Sequence, residues 1–388
     1  MSLQSCPIPL SPDALMALAR EQSGIDLIDE KAREPLAALH ASISTQGGLH
    51  SAGALAQQEK LLRLLRNRLR MKRDFAAHPE IAEQVIERPL FVIGFGRSGT
   101  TKTQKTLAAT GDFNFLPFWQ CFNPSLFSGD RAEPAKPRIA QSDAYCSWFD
   151  EKSPLTKTGH SFETHEPEED TTLTEHSLVA PSFIGYSEAP DYLAWMAGQS
   201  PTILFEFLRD ALKYLQWQGL ARPDRKWLLK APTYYGLEEA ILHVFPDADF
   251  VMTHRSPLKT VPSSCRLIDL FRIPFGSAPV DIPALLGGFV AMMDLHIQNR
   301  ERLPNLRILD LHFDEITSSM ATAAEKIHAH AGLGFPAASR QRIADWEAAH
   351  PQHAKGSFTY SLAGYGLDEA SLERDFANYI GLMQRLFG

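Results

Sequence analysis

The feature that most constrains this chain is a short apolar run that ends in a glycine-rich turn: Leu90-Phe91-Val92-Ile93, then Gly94-Phe-Gly-Arg-Ser-Gly-Thr-Thr101. Pro89 opens the run. Its β-rich, uninterrupted apolar character reads as a strand buried on both faces, as parallel sheets require. A helix is expected from about Thr100. Backbone N–H groups in such a turn, backed by the positive end of a helix, can hold a phosphate or sulfate. Two hydroxyls at the helix start, Thr100 and Thr101, strengthen that reading.

Gly94 and Gly99 have the spacing of GxxxxGK[ST], but Thr100 stands where the phosphate-cradling Lys belongs. An ordinary ATP or GTP site is thereby disfavoured. Arg97 is the residue inside the turn that can replace the missing charge, and a guanidinium makes bidentate contacts to phosphate oxygens that an ammonium cannot.

Further along, Trp227-Leu228-Leu229 and Phe250-Val251-Met252 read as strands, separated by helical spacing over Leu237 to Phe245 that Pro246-Asp247 ends. That is a βαβ unit, hence a parallel sheet. Leu306 to Leu311 supplies another strand, with helical patterning from about Asp314 to His330. Ahead of the turn, Leu55, Leu61, Leu62, Leu65 and Leu69 recur at helical spacing between Ser51 and His78, with Ser51 as the expected cap. The expected fold is α/β, a P-loop-type parallel sheet flanked by helices. It has a helical N-terminal region over 1–88 packed on the core, a catalytic domain over 89–388, and inserted loops and short helices around 129–199.

With 388 residues, 44% hydrophobic and 22% charged, the chain can bury a sizeable core. A net charge of −8 without any long Lys/Arg run argues against nucleic acid or an anionic membrane as the general partner, so any anion site must be local. Cys6, Cys121, Cys146 and Cys265 form no CxxC pair, and free buried thiols are expected. No apolar run approaches the roughly 18 residues of a spanning helix, and Met1 to Pro12 lacks a basic start with an apolar stretch behind it. A cytoplasmic protein without stable membrane insertion is expected.

With these elements in place, the sequence resembles the sulfotransferases that use 3′-phosphoadenosine 5′-phosphosulfate (PAPS), particularly their bacterial branch. Their 5′-phosphosulfate loop reads much like PRSGTT after a buried strand; here it is Gly96-Arg97-Ser98-Gly99-Thr100-Thr101. A second family element is a strand ending in Arg with a Ser eight residues later, both holding the 3′-phosphate. Arg255 and Ser263 match it. Physically, Arg255 falls at the carboxyl end of a parallel strand, where open α/β sheets bind ligands, and Ser256-Pro257 suits the start of the next helix. A looser third match is Lys355-Gly356-Ser357 before Tyr360 and Gly366, which resembles the C-terminal loop that closes over the nucleotide, within a segment around 350–388. The resemblance runs from about Pro89 to Gly388.

The resemblance implies in-line transfer of a sulfuryl group from PAPS to a hydroxyl of a small acceptor, with no metal required. Lys230 resembles the Lys that lies beside the transferred group in the family; read alone, it is also compatible with a snorkelling Lys at a strand end. The eukaryotic enzymes place a catalytic His two residues after that Lys, but Pro232 stands there. The base is therefore sought in His165-Glu166-Pro167-Glu168-Glu169-Asp170, with Glu168 first and His165 second. An aromatic run comprising Phe113, Phe115, Phe118, Trp119, Phe122 and Phe127 is either core or the wall of an acceptor pocket. The second case implies a phenol, sterol-like alcohol or lipid-linked hydroxyl; the first leaves a carbohydrate or antibiotic equally open. Two other readings stand beside this one: a P-loop kinase or nucleotide hydrolase with Asp310 holding magnesium, and a nucleotide-binding protein that has lost its base. A homo-oligomer is compatible with the sequence.

Overall fold

The computed structural model describes residues 5–276, 278–351 and 360–388. Its sheet has four parallel strands in the order β2-β1-β3-β4, with β1 Leu90–Gly94, β2 Leu228–Lys230, β3 Asp249–His254 and β4 Arg307–His312. The P-loop-type α/β expectation holds. The βαβ unit read from sequence does not pair its own strands, because β1 lies between β2 and β3. Trp227 falls just outside β2 and bridges to Asn114 instead.

Every residue of β1 is buried, and alternation divides them between two cores. Leu90 and Val92 join Leu228, Val251 and Leu311 on one face, under Leu107, Ile316, Ile327 and Ile343. Phe91 and Ile93 join Leu229, Phe250 and Met252 on the other. There Phe91 stacks on Phe250 with ring centroids 5.8 Å apart. Each such side chain contributes about 1.5–3 kcal/mol on burial, which explains a run with no polar residue.

That second core continues without interruption into three N-terminal helices, α1 Pro12–Ser23, α2 Glu30–Gln46 and α3 Ser51–Ala77. Ser51 is the first residue of α3 and not its cap. The cap is His50, whose Nδ1 accepts the Gly53 N–H at 2.7 Å. The polar side of α3 is also buried: Lys60 pairs with Glu175 at 2.7 Å and Asn67 bonds to the Phe122 carbonyl. The insertion expected as loops and short helices includes a 17-residue helix, Lys136–Lys152. The helical pattern after β4 breaks into Phe313–Ser318 and Met320–His330, where the Ser319 side chain caps the second piece. Among the described residues no helix is long and apolar enough to cross a membrane.

Candidate active site

At the carboxyl end of β1 the chain makes a turn that only certain residues allow. Gly94 has φ 139°, and a Cβ there would lie 2.5 Å from the Thr253 carbonyl oxygen on β3. Gly99, with φ 103°, leads into helix α4, Thr100–Thr110, whose N-terminus carries no side-chain cap. Uncapped N–H groups there remain available to an anion.

Arg97 also has a positive φ, 73°, which is unfavourable for a residue with a Cβ. Its side chain is fixed on two sides: Nη1 donates to the Gly159 carbonyl at 2.6 Å and Nε to Ser263 Oγ at 3.2 Å. Arg255, directly after β3, donates from Nη1 to the Arg97 carbonyl at 2.9 Å and lies over the Phe313 ring at 3.8 Å. The turn and the strand-end pair are thus one cluster, although Arg97 and Ser263 are 166 residues apart in sequence. Burial lowers the pKa of the Arg97 guanidinium, and the charge of Arg255 adds to the effect. Two cations placed this closely favour a bound anion.

Lys230 ends β2 and is almost fully buried. Its Nζ lies 2.6 Å from Glu169 Oε1 and 3.4 Å from Thr101 Oγ1. Beside it, Glu168 Oε1 accepts the Glu169 N–H at 2.7 Å and stands 3.0 Å from His160 Nε2. Burial by itself would raise the Glu168 carboxyl, but His160, Lys230 and the Glu169 N–H outweigh it and hold it below the usual carboxylate range. Asp170 next door behaves oppositely: burial and the Glu169 charge push it up to about 8.

These groups open on a cavity of about 810 Å³. Of the residues named from sequence, Arg97, Gly99, Thr100, Thr101, Glu168, Lys230, Arg255 and Ser263 line it. Gly96 and Ser98 do not; the buried Ser98 hydroxyl bonds to the Phe95 carbonyl and to Thr253 Oγ1, both at 2.6 Å. His165 is exposed and lies off the cavity. Lys355 and Gly356 lie outside the described residues, whereas Tyr360 lines the cavity. Pro232 opens a 3₁₀ turn, Pro232–Tyr234. None of the six aromatic residues from Phe113 to Phe127 is in the wall. Phe113, Phe118, Trp119 and Phe122 are core, so the run gives no reason to expect an aromatic acceptor. Asp310 is also absent from the wall: Arg300 binds both its oxygens and His254 approaches one at 2.8 Å, which removes the acid a magnesium-dependent kinase would need.

Sequence reasoning missed His160, whose ring reaches the cavity beside Glu168, and the stacked pair Trp346 and His350, which also line it, with centroids 4.4 Å apart. His160 sits in the insertion with no motif around it. Its only signal was a histidine eight residues ahead of the preferred carboxylate.

Comparison with known proteins gives a consistent result. A family model described as the sulfotransferase family matches residues 89–337. The omega-hydroxy-beta-dihydromenaquinone-9 sulfotransferase Stf3 of Mycobacterium tuberculosis is 22% identical over 300 residues, spanning 73% of this chain and 72% of that protein. The crystal structure of sulfotransferase STF9 from Mycobacterium avium superposes with a TM-score of 0.81 at 25% identity, covering 96% of both chains. That of STF1 from Mycobacterium tuberculosis gives 0.79 at 24% identity, covering 96% of this chain and 99% of that one.

Proposed function

The chain belongs to the sulfotransferase family, and on that premise we propose that it takes its sulfuryl group from PAPS and passes it to a hydroxyl of a small acceptor. The observation that carries the donor assignment is the joining of Arg97, Arg255 and Ser263 beside the open N-terminus of α4. One nucleotide with phosphates at both its 3′ and 5′ positions needs two such anion subsites close together. Arg255 and Ser263 would hold the 3′-phosphate, and the N–H groups and hydroxyls of Gly99 to Thr101 the 5′-phosphosulfate, with Arg97 between them. Trp346 and Phe313 offer flat apolar surface on the wall for the adenine.

The acceptor oxygen attacks sulfur as the bond to the bridging oxygen breaks, so negative charge grows on that oxygen. Lys230, held between Thr101 and Glu169, would meet it. The proton of the acceptor hydroxyl would leave to a group on the insertion side, where Glu168 and His160 face the cavity. No metal enters this scheme. The name of the mycobacterial relative carries a hydroxylated dihydromenaquinone, which makes lipid-linked hydroxyls the first acceptor class to try here. We place the protein in the cytoplasm; its four cysteines are free, as a reducing compartment would keep them.

Calorimetric titration with 3′-phosphoadenosine 5′-phosphate (PAP), against ATP and 5′-AMP and with or without magnesium, tests the donor before the acceptor is known. Metal-independent binding that requires the 3′-phosphate is expected. Preference for magnesium–ATP would overturn it.

A further inference from the structure

The carboxylate first in line for the base is poorly suited to it. Glu168 is only 4% exposed, one of its oxygens already accepts the Glu169 N–H, and both face His160 Nε2 at 3.0 and 3.3 Å. The charge of Lys230 nearby weakens it further as a proton acceptor. What this arrangement does well is fix a histidine. A carboxylate can only accept hydrogen bonds, so the neutral ring must carry its proton on Nε2 and leave its lone pair on Nδ1.

Resting on the sulfotransferase reading, we propose that His160 is the catalytic base and that Glu168 is its positioning residue. The Nδ1 side of the ring faces Glu169 Oε1 at 3.9 Å, beyond hydrogen-bond reach, and that same oxygen holds Lys230 at 2.6 Å. His160, Glu169, Lys230 and Thr101 therefore form a row leading to the start of α4, where the transferred group would sit. The ring is clamped edge-on by Phe162 and Phe271, with centroids at 5.0 and 5.6 Å. Its backbone is clamped too, since the Gly159 carbonyl accepts from Arg97. The donor loop thus fixes the base as well as the nucleotide. This places a histidine base on an inserted loop of a chain that has proline after its strand-end Lys.

The acceptor hydroxyl gives its proton to Nδ1, and its oxygen lone pair forms the new bond to sulfur. The electron pair of the breaking sulfur–oxygen bond stays on the bridging oxygen of PAP, and the imidazolium later returns its proton to water.

Two measurements on the full chain test the assignment. In protein labelled with ¹⁵N-histidine, with His160 assigned by difference from His160→Gln, the neutral form of the ring should carry its proton on Nε2. The charged groups that face it are Glu168 and Glu169, with Lys230 behind Glu169 and Arg97 at the Gly159 carbonyl. A neutral ring with its proton on Nδ1 overturns the proposal. Release of PAP from PAPS with water as acceptor should fall at least about 100-fold in His160→Gln, with PAP affinity unchanged. A variant within threefold of the wild-type rate also overturns it. Failure of the wild-type protein to bind PAP would instead sink the donor reading, so the two failures are distinguishable.

Discussion

Arg97 pays for its position with an unfavourable backbone angle, and the strain of about 1–3 kcal/mol at such a residue persists only where its surroundings insist on it. Here they do, because its carbonyl and its side chain are engaged by Arg255, Ser263 and Gly159. Removing the guanidinium in Arg255→Ala should weaken PAP binding by roughly 1.5–3 kcal/mol, the loss of a charge-assisted bond; calorimetry that finds equal affinity refutes the 3′-phosphate assignment. Asp170 makes a separate prediction about pH. Its carboxyl is raised to about 8 in the folded protein, so the folded state keeps a proton that the unfolded chain releases above about pH 4. The stability this group lends is complete below the unfolded value and is lost as pH rises through the folded one. Asp170→Asn should therefore gain stability relative to wild type as pH rises from about 5 to 9, read as a widening gap between urea midpoints; a constant gap would refute it. That Arg97, Arg255, Ser263 and Lys230 would line one cavity was legible because the family resemblance ties each of them to a position at or after a strand end. His160 was not, because only tertiary contact brings its loop to Glu168, and His165 has the chemistry of a base without the burial that places one.

At the scale of elements, strand and helix positions followed from apolar runs and their breakers, while strand order did not. The pattern that marks β2 and β3 is the same whether or not β1 separates them. Nor could periodicity reveal that the polar side of α3 is covered, since Lys60 and Asn67 read as solvent-facing until their partners Glu175 and the Phe122 carbonyl are known. The junction of β1 with the turn is the tightest point. In Gly94→Ala the new methyl would stand 2.5 Å from the Thr253 carbonyl and 2.7 Å from Thr253 Oγ1. Because this is the paired end of the central strand, a loss of about 2 kcal/mol or more is expected in urea denaturation, along with weakened PAP binding. A variant as stable as wild type would show that the turn shifts freely.

For the whole molecule, donor binding should report on the fold. A nucleotide held by the ends of β1 and β3 binds the native chain alone, so PAP at about 100 times its dissociation constant should add roughly 2.7 kcal/mol of stability and raise the melting temperature by several degrees. No rise under saturating PAP would contradict the site.

Arg97 and Arg255 stand 158 residues apart in sequence. Neither a nascent chain that has made only β1 nor a fragment ending before β3 can display the paired cations, so the pocket exists only in molecules whose sheet has closed. An immobilised-nucleotide resin would then retain finished chains and let misassembled ones pass, which makes retention a measure of folding yield during purification.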